Sequence, residues 1–233
     1  MGAFGIIYED DSIIVVDKPA GMLVIPTPKN ETHTLTNLLN RELDSRGIEA
    51  NAHPCHRIDR ETSGLILYAK GKKAQQLMME KFRRHEVKKA YLAFIHGRLN
   101  RNSGSIDSPI EHKRSITKYK VREQRRGFCI VYVEPVTGRT NQIRIHFKAI
   151  GHPLVGERKF AFAKDYELKF RRAALHSYRI GFVHPLTNKS LVFTSPLPDD
   201  MEKFLAANKL KEVSMKRVFV FLVAGLFLAS LLS

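Results

Sequence analysis

The chain has 233 residues, of which 43% are hydrophobic and 27% are charged. This composition is typical of globular proteins and excludes intrinsic disorder for the bulk of the chain. The charge balance is unusual, because 39 Lys and Arg against 23 Asp and Glu give a formal net charge of +16. Such a charge attracts polyanions, so a nucleic-acid partner is favoured over a merely soluble basic protein, although charge alone specifies no chemistry.

The cysteine content points to a reducing compartment. Only Cys55 and Cys129 occur, so a framework of disulfide bonds is not expected in a chain of this size. The first eight residues carry no basic stretch of the kind that opens a secretory signal. Together these features predict a cytoplasmic location.

The first half of the chain mixes strands and helices. Residues 6–17 predict two short strands around an acidic turn, since Ile13 to Val16 are all β-branched. Thr34 can cap a helix with a leucine stripe that Gly47 ends. Residues 65–68 predict a buried strand, and 72–84 predict a helix from their apolar spacing.

The second half is rich in predicted strands. These cover residues 91–96, 115–123, 128–135, 142–147, 179–184 and 190–194, and a terminal helix follows from about Asp199. Strands outnumber helices and mostly follow one another without β–α–β alternation. The pattern therefore predicts the α+β class with a mainly antiparallel sheet.

The densest group of reactive side chains lies on the loop before residue 65, with the sequence HPCHRIDRETSG over residues 53–64. Asp59 stands there between Arg57 and Arg60, and neighbouring cations favour the ionised form of a carboxylate. An ionised, oriented carboxylate can act as nucleophile or general base. The alternative at this point is a surface aspartate in a salt-bridged turn.

The same loop is a poor candidate for a metal site. Its ligand types, His53, Cys55 and His56, are crowded within four residues, and no second cluster with ligand spacing follows. The zinc deaminase signature also needs a second cysteine that is absent here. The sequence has no phosphate-binding glycine loop and no dinucleotide motif. We therefore expect neither a metal nor an organic cofactor.

A second polar segment covers residues 137–147, where a Thr-Gly turn precedes the predicted strand. Alternation would place three polar side chains on one strand face, namely Gln142, Arg144 and His146. The opposite face would be apolar and would pack in the core. An arginine there suits either an RNA phosphate or a buried carboxylate, while the alternative is a solvated sheet face.

Several motifs resemble those of RluA-type pseudouridine synthases. Residues 56–65, HRIDRETSGL, are similar to the family motif HRLDxxTSGLLL, and residues 138–146, GRTNQIRIH, are similar to GRTHQIRVH. Residues 89–97 resemble the motif KxYxAxxxG. Weaker matches, in the family's order, are DKPAG at 17–21, GHPLVG at 151–156, Leu175-His176 and the closing Pro196-Leu197-Pro198. The whole resemblance spans roughly residues 6 to 205.

The resemblance implies a function and a set of site residues. The family isomerises uridine in RNA without a cofactor, on a mixed sheet flanked by helices. Asp59 matches the catalytic aspartate, Tyr91 the active-site tyrosine, Arg144 the arginine that pairs with that aspartate, and Arg57 the arginine that enters the RNA stack. Further RNA contacts are predicted for Arg139, Asn141 and Gln142. Ile58 replaces the usual leucine, and Asn141 replaces the usual histidine.

The domain prediction separates residues 1–211, a stand-alone catalytic domain without an S4-like domain, from a hydrophobic tail at 212–233. The tail has three interpretations: a membrane anchor, a docked helix, or the fused start of a neighbouring reading frame. The last is favoured, because Lys216 and Arg217 precede an apolar run as in a signal peptide. Membrane contact is expected only for an anchor.

The predicted partner is RNA, with no obligatory protein partner, and ribosomal and transfer RNA are both open. Two other hypotheses remain at this stage. One is a catalytically silent RNA-binding module on the same fold, which the presence of Asp59, Tyr91 and Arg144 disfavours. The other is a membrane-tethered protein of unrelated function, motivated by the tail alone.

Overall fold

A computed structural model describes residues 4–29, 31–161 and 168–208. Within these ranges the chain forms ten strands of one sheet and four helices. The strands are β1 (Gly5–Glu9), β2 (Ile13–Lys18), β3 (Ala52–Pro54), β4 (Ser63–Lys70), β5 (Lys88–His96), β6 (Ser103–Asp107), β7 (Ile116–Arg125), β8 (Phe128–Pro135), β9 (Leu175–Val183) and β10 (Ser190–Thr194). The helices are α1 (Leu35–Ser45), α2 (Gly71–Arg83), α3 (Gln142–Ala149) and α4 (Asp199–Ala207).

The strand order along the sheet is β1-β2-β4-β9-β5-β8-β7-β6, with β3 paired to β4 and β10 paired to β9. The β4–β9 pair is parallel and short, with Ser63 opposite His176 and Gly64 opposite Ser177. The other pairings of these ten strands are antiparallel. The predicted α+β class, with a mixed and mainly antiparallel sheet flanked by helices, is confirmed.

The short parallel pair depends on a glycine. Gly64 has a φ of +102°, and a Cβ atom built on it would lie 2.4 Å from the carbonyl oxygen of Ser177. Real Cβ atoms do not approach a backbone oxygen so closely, so only glycine allows β4 to reach β9 here. This contact fixes the point where the loop containing Asp59 enters the sheet.

Strand β2 is buried on both faces, which explains its continuous run of β-branched residues. Ile14 and Val16 pack in the same cluster as the leucine stripe of α1, while Ile13 and Val15 pack with α2 residues. All four side chains are fully buried. Helix α1 begins as predicted, because the Thr34 hydroxyl accepts a hydrogen bond from the Asn37 amide at 3.3 Å.

The predicted strand at residues 142–147 is wrong, because this segment forms most of helix α3. Both periods fit it: the buried side chains of Gln142, Ile143, His146 and Phe147 follow helical spacing equally well. The Gln142 side chain accepts a hydrogen bond from the Arg139 amide at 2.9 Å, which closes the turn that leads into the helix.

Two short strands were not predicted, and several begin earlier than predicted, β9 by the most. Strand β3 has three residues, and β6 is polar with a single buried side chain, Ile106, so neither gives an apolar pattern. Strand β9 starts at Leu175 rather than at 179. The predicted domain boundary after residue 211 and the tail at 212–233 lie outside the described residues. Within the described ranges, no helix is long and apolar enough to cross a membrane.

Candidate active site

The loop between β3 and β4, residues 55–62, carries Asp59 and is tied down on several sides. The carbonyl of Arg60 accepts a hydrogen bond from the Gly21 amide at 2.8 Å. The carbonyl of Glu61 accepts one from Arg172 Nη1 at 3.0 Å. A turn within the loop is closed by the Thr62 amide, which donates to the carbonyl of Asp59 at 3.1 Å. The backbone around Asp59 is therefore held by distant parts of the chain.

A fully buried lysine, Lys18 at the end of β2, supports this loop from beneath. Its ammonium group donates to three backbone carbonyls, at 2.9, 2.8 and 3.2 Å, which belong to Pro19, Met22 and Arg60. Burial, with a smaller contribution from the charge of Arg172, lowers the pKa of Lys18 to about 7, against the opposing charge of Asp59. All three ammonium protons have acceptors, so Lys18 links β2 to the loop.

Asp59 itself remains accessible. Its side chain is 27% exposed, and its Oδ2 lies 3.9 Å from Arg144 Nη1, which is longer than a hydrogen bond. Among the described residues, none donates a hydrogen bond to its carboxylate. Burial raises the pKa of Asp59, while the charges of Arg144 and Arg57 oppose that rise. The carboxylate oxygens thus keep their lone pairs available for a bound molecule.

Arg144, on α3, is 6% exposed and has a different principal partner from the one expected. Its Nε and Nη2 atoms each donate to a carboxylate oxygen of Glu157 at 2.7 Å. Its Nη1 donates to Asn141 Oδ1 at 3.0 Å. The predicted ion pair between Arg144 and Asp59 is present at 3.9 Å, but the direct hydrogen bonds of Arg144 go to Glu157 and Asn141.

Tyr91, on β5, lies close enough to Asp59 for the carboxylate to influence it. The tyrosine is 6% exposed. Burial, followed by the charge of Asp59, raises the pKa of Tyr91 above its ordinary value. The phenol is therefore neutral at physiological pH, which suits packing or proton donation better than action as a base.

Asp59 and Arg144 border an open cleft of about 350 Å³, within the size range of small-molecule sites. One wall is largely apolar and is formed by residues 23–28. The opposite side is polar and comes from residues 57–61, from Thr140, Asn141 and Arg144, and from Lys159. A flat apolar group with polar edges, such as a nucleobase, matches these two walls.

The residues predicted to contact RNA divide into two groups. Arg57 and Arg139 are exposed, so both can reach a ligand. Asn141, in the left-handed region with a φ of +54°, instead uses its side-chain oxygen to hold Arg144. Gln142 is 4% exposed and bonds Thr137 and Thr117 inside the protein. Its position is structural, so the prediction that it contacts RNA is not retained.

The sequence interpretation missed Glu157 and Lys159. Residues 151–156 were recognised as a motif, but the glutamate that follows gave no signal of its own. A single acidic residue before two basic ones, directly after a Val-Gly turn, was the available clue. The apolar wall at 23–28 was not predicted as part of the site either.

Comparisons with known proteins agree on one family. The profile of the family described as "RNA pseudouridylate synthase" matches residues 12–149. The chain is 37% identical over 217 residues to the "Uncharacterized RNA pseudouridine synthase YlyB" of Bacillus subtilis (strain 168), covering 86% of this chain and 71% of that protein. It is 34% identical over 222 residues to the "Ribosomal large subunit pseudouridine synthase D" of Nitrosomonas europaea, covering 87% of this chain and 64% of that protein.

A solved structure shares the fold. "Human RNA Pseudouridylate Synthase Domain Containing 4" superposes with a TM-score of 0.75 at 20% identity, covering 89% of this chain and 94% of that one. The matched region of the family profile contains Asp59, Tyr91 and Arg144. From the match over most of the chain we conclude that this protein belongs to the RNA pseudouridylate synthase family and is an RNA pseudouridine synthase.

Proposed function

We propose that the enzyme converts uridines of large-subunit ribosomal RNA to pseudouridine, with Asp59 as the catalytic carboxylate. The observation that carries the assignment of Asp59 is its place in the cleft: it is partly exposed and receives no hydrogen bond from any described residue. A carboxylate committed to a structural ion pair would be surrounded by donors, as Glu157 is. Asp59 is instead left open toward the cleft.

The reaction requires little besides such a group. The C1′–N1 bond of uridine breaks, the uracil turns, and a C1′–C5 bond forms. The C5 carbon then loses its proton and N1 gains one, so the composition of the nucleoside is unchanged. No electrons are gained or lost, so the chemistry needs no redox cofactor. Attack of a carboxylate on C1′ and removal of a sugar proton by it are both open routes, and both require Asp59 to be ionised.

Arg144 and Tyr91 complete the proposed site. The guanidinium, 3.9 Å from Asp59, favours the ionised carboxylate without occupying its oxygens. The neutral Tyr91 phenol offers a ring face on which the uracil can stack while it turns, and a hydroxyl that can donate a proton. Arg144 keeps its charge throughout, whereas Tyr91 would become a phenolate if its hydroxyl gave up a proton.

The target base must leave its stack before it can reach Asp59, which costs a few kcal/mol. Exposed cations stand where they can offset this cost through the RNA backbone. Arg57, Arg60 and Lys159 border the cleft, and Arg139 is exposed on the neighbouring loop. Arg57, directly before the Ile58-Asp59 pair, is placed to fill the gap that the departing uridine leaves.

The choice of ribosomal RNA rests on relatives. Proteins named "Ribosomal large subunit pseudouridine synthase D" from Nitrosomonas europaea and Zymomonas mobilis are 34% and 33% identical to this chain. We therefore take the large-subunit RNA as the proposed substrate and transfer RNA as the alternative. A cytoplasmic location, where both RNAs occur, is part of the same proposal.

The test is pseudouridine mapping of total RNA from cells with and without the gene, followed by assays of purified protein on the sites that change. Asp59→Asn should reduce single-turnover isomerisation by at least about three orders of magnitude while RNA affinity persists. Asp44→Asn, on an exposed face of α1, is the matched control. Activity of Asp59→Asn within tenfold of the parent would contradict the catalytic role, and changes confined to transfer RNA would replace the substrate.

A further inference from the structure

Glu157 is the only carboxylate that the described residues place in direct hydrogen-bond contact with Arg144. We propose that Glu157 is a positioning residue, which holds Arg144 and so prevents this arginine from closing a two-bond ion pair with Asp59. The proposal rests on the proposed role of Asp59. It assigns a function to a glutamate that the sequence motifs left unexplained.

The contacts of Glu157 are those of a permanently charged, buried anchor. It is 3% exposed. Its Oε1 accepts from Arg144 Nη2 at 2.7 Å and from the amides of Lys159 and Phe160 at 2.8 and 3.2 Å. Its Oε2 accepts from Arg144 Nε at 2.7 Å. Burial opposes ionisation, but these hydrogen bonds outweigh it and lower the pKa of Glu157.

The backbone that carries Glu157 is fixed without any help from Arg144. Gly156, directly before it, has a φ of +78°, and a Cβ atom there would lie 2.0 Å from the carbonyl oxygen of Arg172. The Val155 amide donates to Phe94 of β5 at 2.8 Å, and its carbonyl accepts from Ala174 at 2.9 Å. The glutamate is therefore presented by a rigid turn, so Arg144 adapts to it.

Glu157 occupies the edge of the Arg144 guanidinium that Nε and Nη2 form. A free arginine pairs most strongly with a carboxylate through two parallel N–H bonds. Here Nε and Nη2 already bind Glu157, and Nη1 binds Asn141 at 3.0 Å. Asp59 is left with a 3.9 Å contact to Nη1, and Glu61 with a 3.8 Å contact to Nη2. One cation thus faces three carboxylates, of which only Glu157 is directly bonded.

The charge state of Asp59 should report on this arrangement. Charged or titratable groups face Asp59 or Arg144 from several neighbouring elements. They are Arg57 and Glu61 on the Asp59 loop, Glu157 and Lys159 on the turn after α3, Lys18 on β2 and Tyr91 on β5, in addition to Arg144 itself on α3. The negative charge of Glu157 raises the pKa of Asp59. Removing that charge, and freeing Arg144 to move toward Asp59, should both lower it.

The test is a carbon-13 NMR titration of the Asp59 carboxyl in the RNA-free full chain, with the signal assigned from Asp59→Asn. In Glu157→Gln, which keeps the shape but not the charge, the Asp59 midpoint should fall by about one pH unit, a tenfold change in the protonation equilibrium. Glu61→Gln is the matched control, since it removes a carboxylate that is near Arg144 but not bonded to it. It should move the midpoint by less.

Two outcomes would overturn the proposal: an unmoved midpoint in Glu157→Gln, or an equal shift in Glu61→Gln. If Glu157→Gln does not fold, nitrogen-15 NMR of the arginine side chains in Asp59→Asn decides the matter. The Arg144 Nε–H signal should stay protected from exchange there, because Glu157 holds it. Loss of that protection in Asp59→Asn would show that Asp59 holds the arginine and would refute the proposal.

The titration needs no RNA, so it is independent of the assigned reaction. If the parent chain forms no pseudouridine, the proposed function is wrong, but the NMR titration still tests whether Glu157 positions Arg144. If the parent is active, Glu157→Gln should also shift the acid limb of the single-turnover pH profile downward and reduce the plateau rate. A purely structural role for Glu157 would change the stability and shift that midpoint no further than Glu61→Gln does.

Discussion

Two arginines that line the cleft differ in burial and in hydrogen bonding: Arg144 lies at its buried floor, and Arg57 lies at its exposed rim. The floor residue Arg144 is 6% exposed and gives hydrogen bonds to Glu157 and Asn141. The rim residue Arg57 is exposed and makes no hydrogen bond with any residue that the structure describes. A buried charge must be fully paired to be tolerated, whereas an exposed one keeps its donors for a ligand. The floor therefore sets geometry, and the rim is available to bind RNA.

Among substitutions at the floor of the cleft, Arg144→Ala should have the largest effect. It leaves the buried Glu157 carboxylate without its ion-pair partner, so we expect a loss of about 3–5 kcal/mol in the free energy of unfolding together with a large loss of activity. Chemical denaturation and single-turnover assays measure the two effects. The double variant Arg144→Met/Glu157→Met removes both charges and should recover most of the stability but none of the activity. An unchanged unfolding midpoint in Arg144→Ala would show that the pair is not buried in solution.

Tyr91→Phe removes only a buried hydroxyl from the neighbourhood of Asp59. We expect the fold to persist and most of the isomerisation rate to be lost, by at least about tenfold. Tyr68→Phe is the control, because Tyr68 is also a buried tyrosine, with its hydroxyl 3.1 Å from Thr36 rather than near Asp59. Full activity of Tyr91→Phe would restrict Tyr91 to ring packing.

A change on the rim should act through the substrate rather than through stability. Arg57→Gln should leave the thermal midpoint in place and lower kcat/KM on a structured RNA by about tenfold, with a smaller loss on an RNA whose target uridine is already unstacked. Arg101→Gln removes an exposed charge beside β6, the edge strand of the sheet, and controls for net charge. Equal losses on the two RNAs would argue against a role of Arg57 in base extrusion.

The smallest effect is expected from the tail, which belongs to neither region. A chain ended at Ser214 should keep its turnover and its salt-sensitive RNA affinity, because the tail adds only two basic charges, Lys216 and Arg217. It should also be more soluble, since a free apolar segment favours association. Loss of activity on truncation would mean that the tail docks on the catalytic domain.

What the sequence could predict was local. Helix α1 with its Thr34 cap depends on neighbouring residues, so periodicity suffices for it. The loop around Asp59 could be found by its motif, although distant residues hold it in place. Residues 142–147 fit two periods at once, so periodicity alone could not assign them to a helix. The Arg144–Glu157 pair joins residues across a turn that no periodicity describes, and nothing local marks Lys18 as fully buried.

The two-residue parallel seam between β4 and β9 has a consequence for the order in which the protein folds. Ser63 and His176, whose side chains share a hydrogen bond at 3.0 Å, are 113 residues apart in the chain. Contacts of such separation close a long loop and form late. During synthesis the loop that carries Asp59 is made early, yet its supports at Arg172 and β9 emerge only after most of the chain has left the ribosome. The loop that carries Asp59 therefore gains this support only after the segment 113 residues further along the chain has been made.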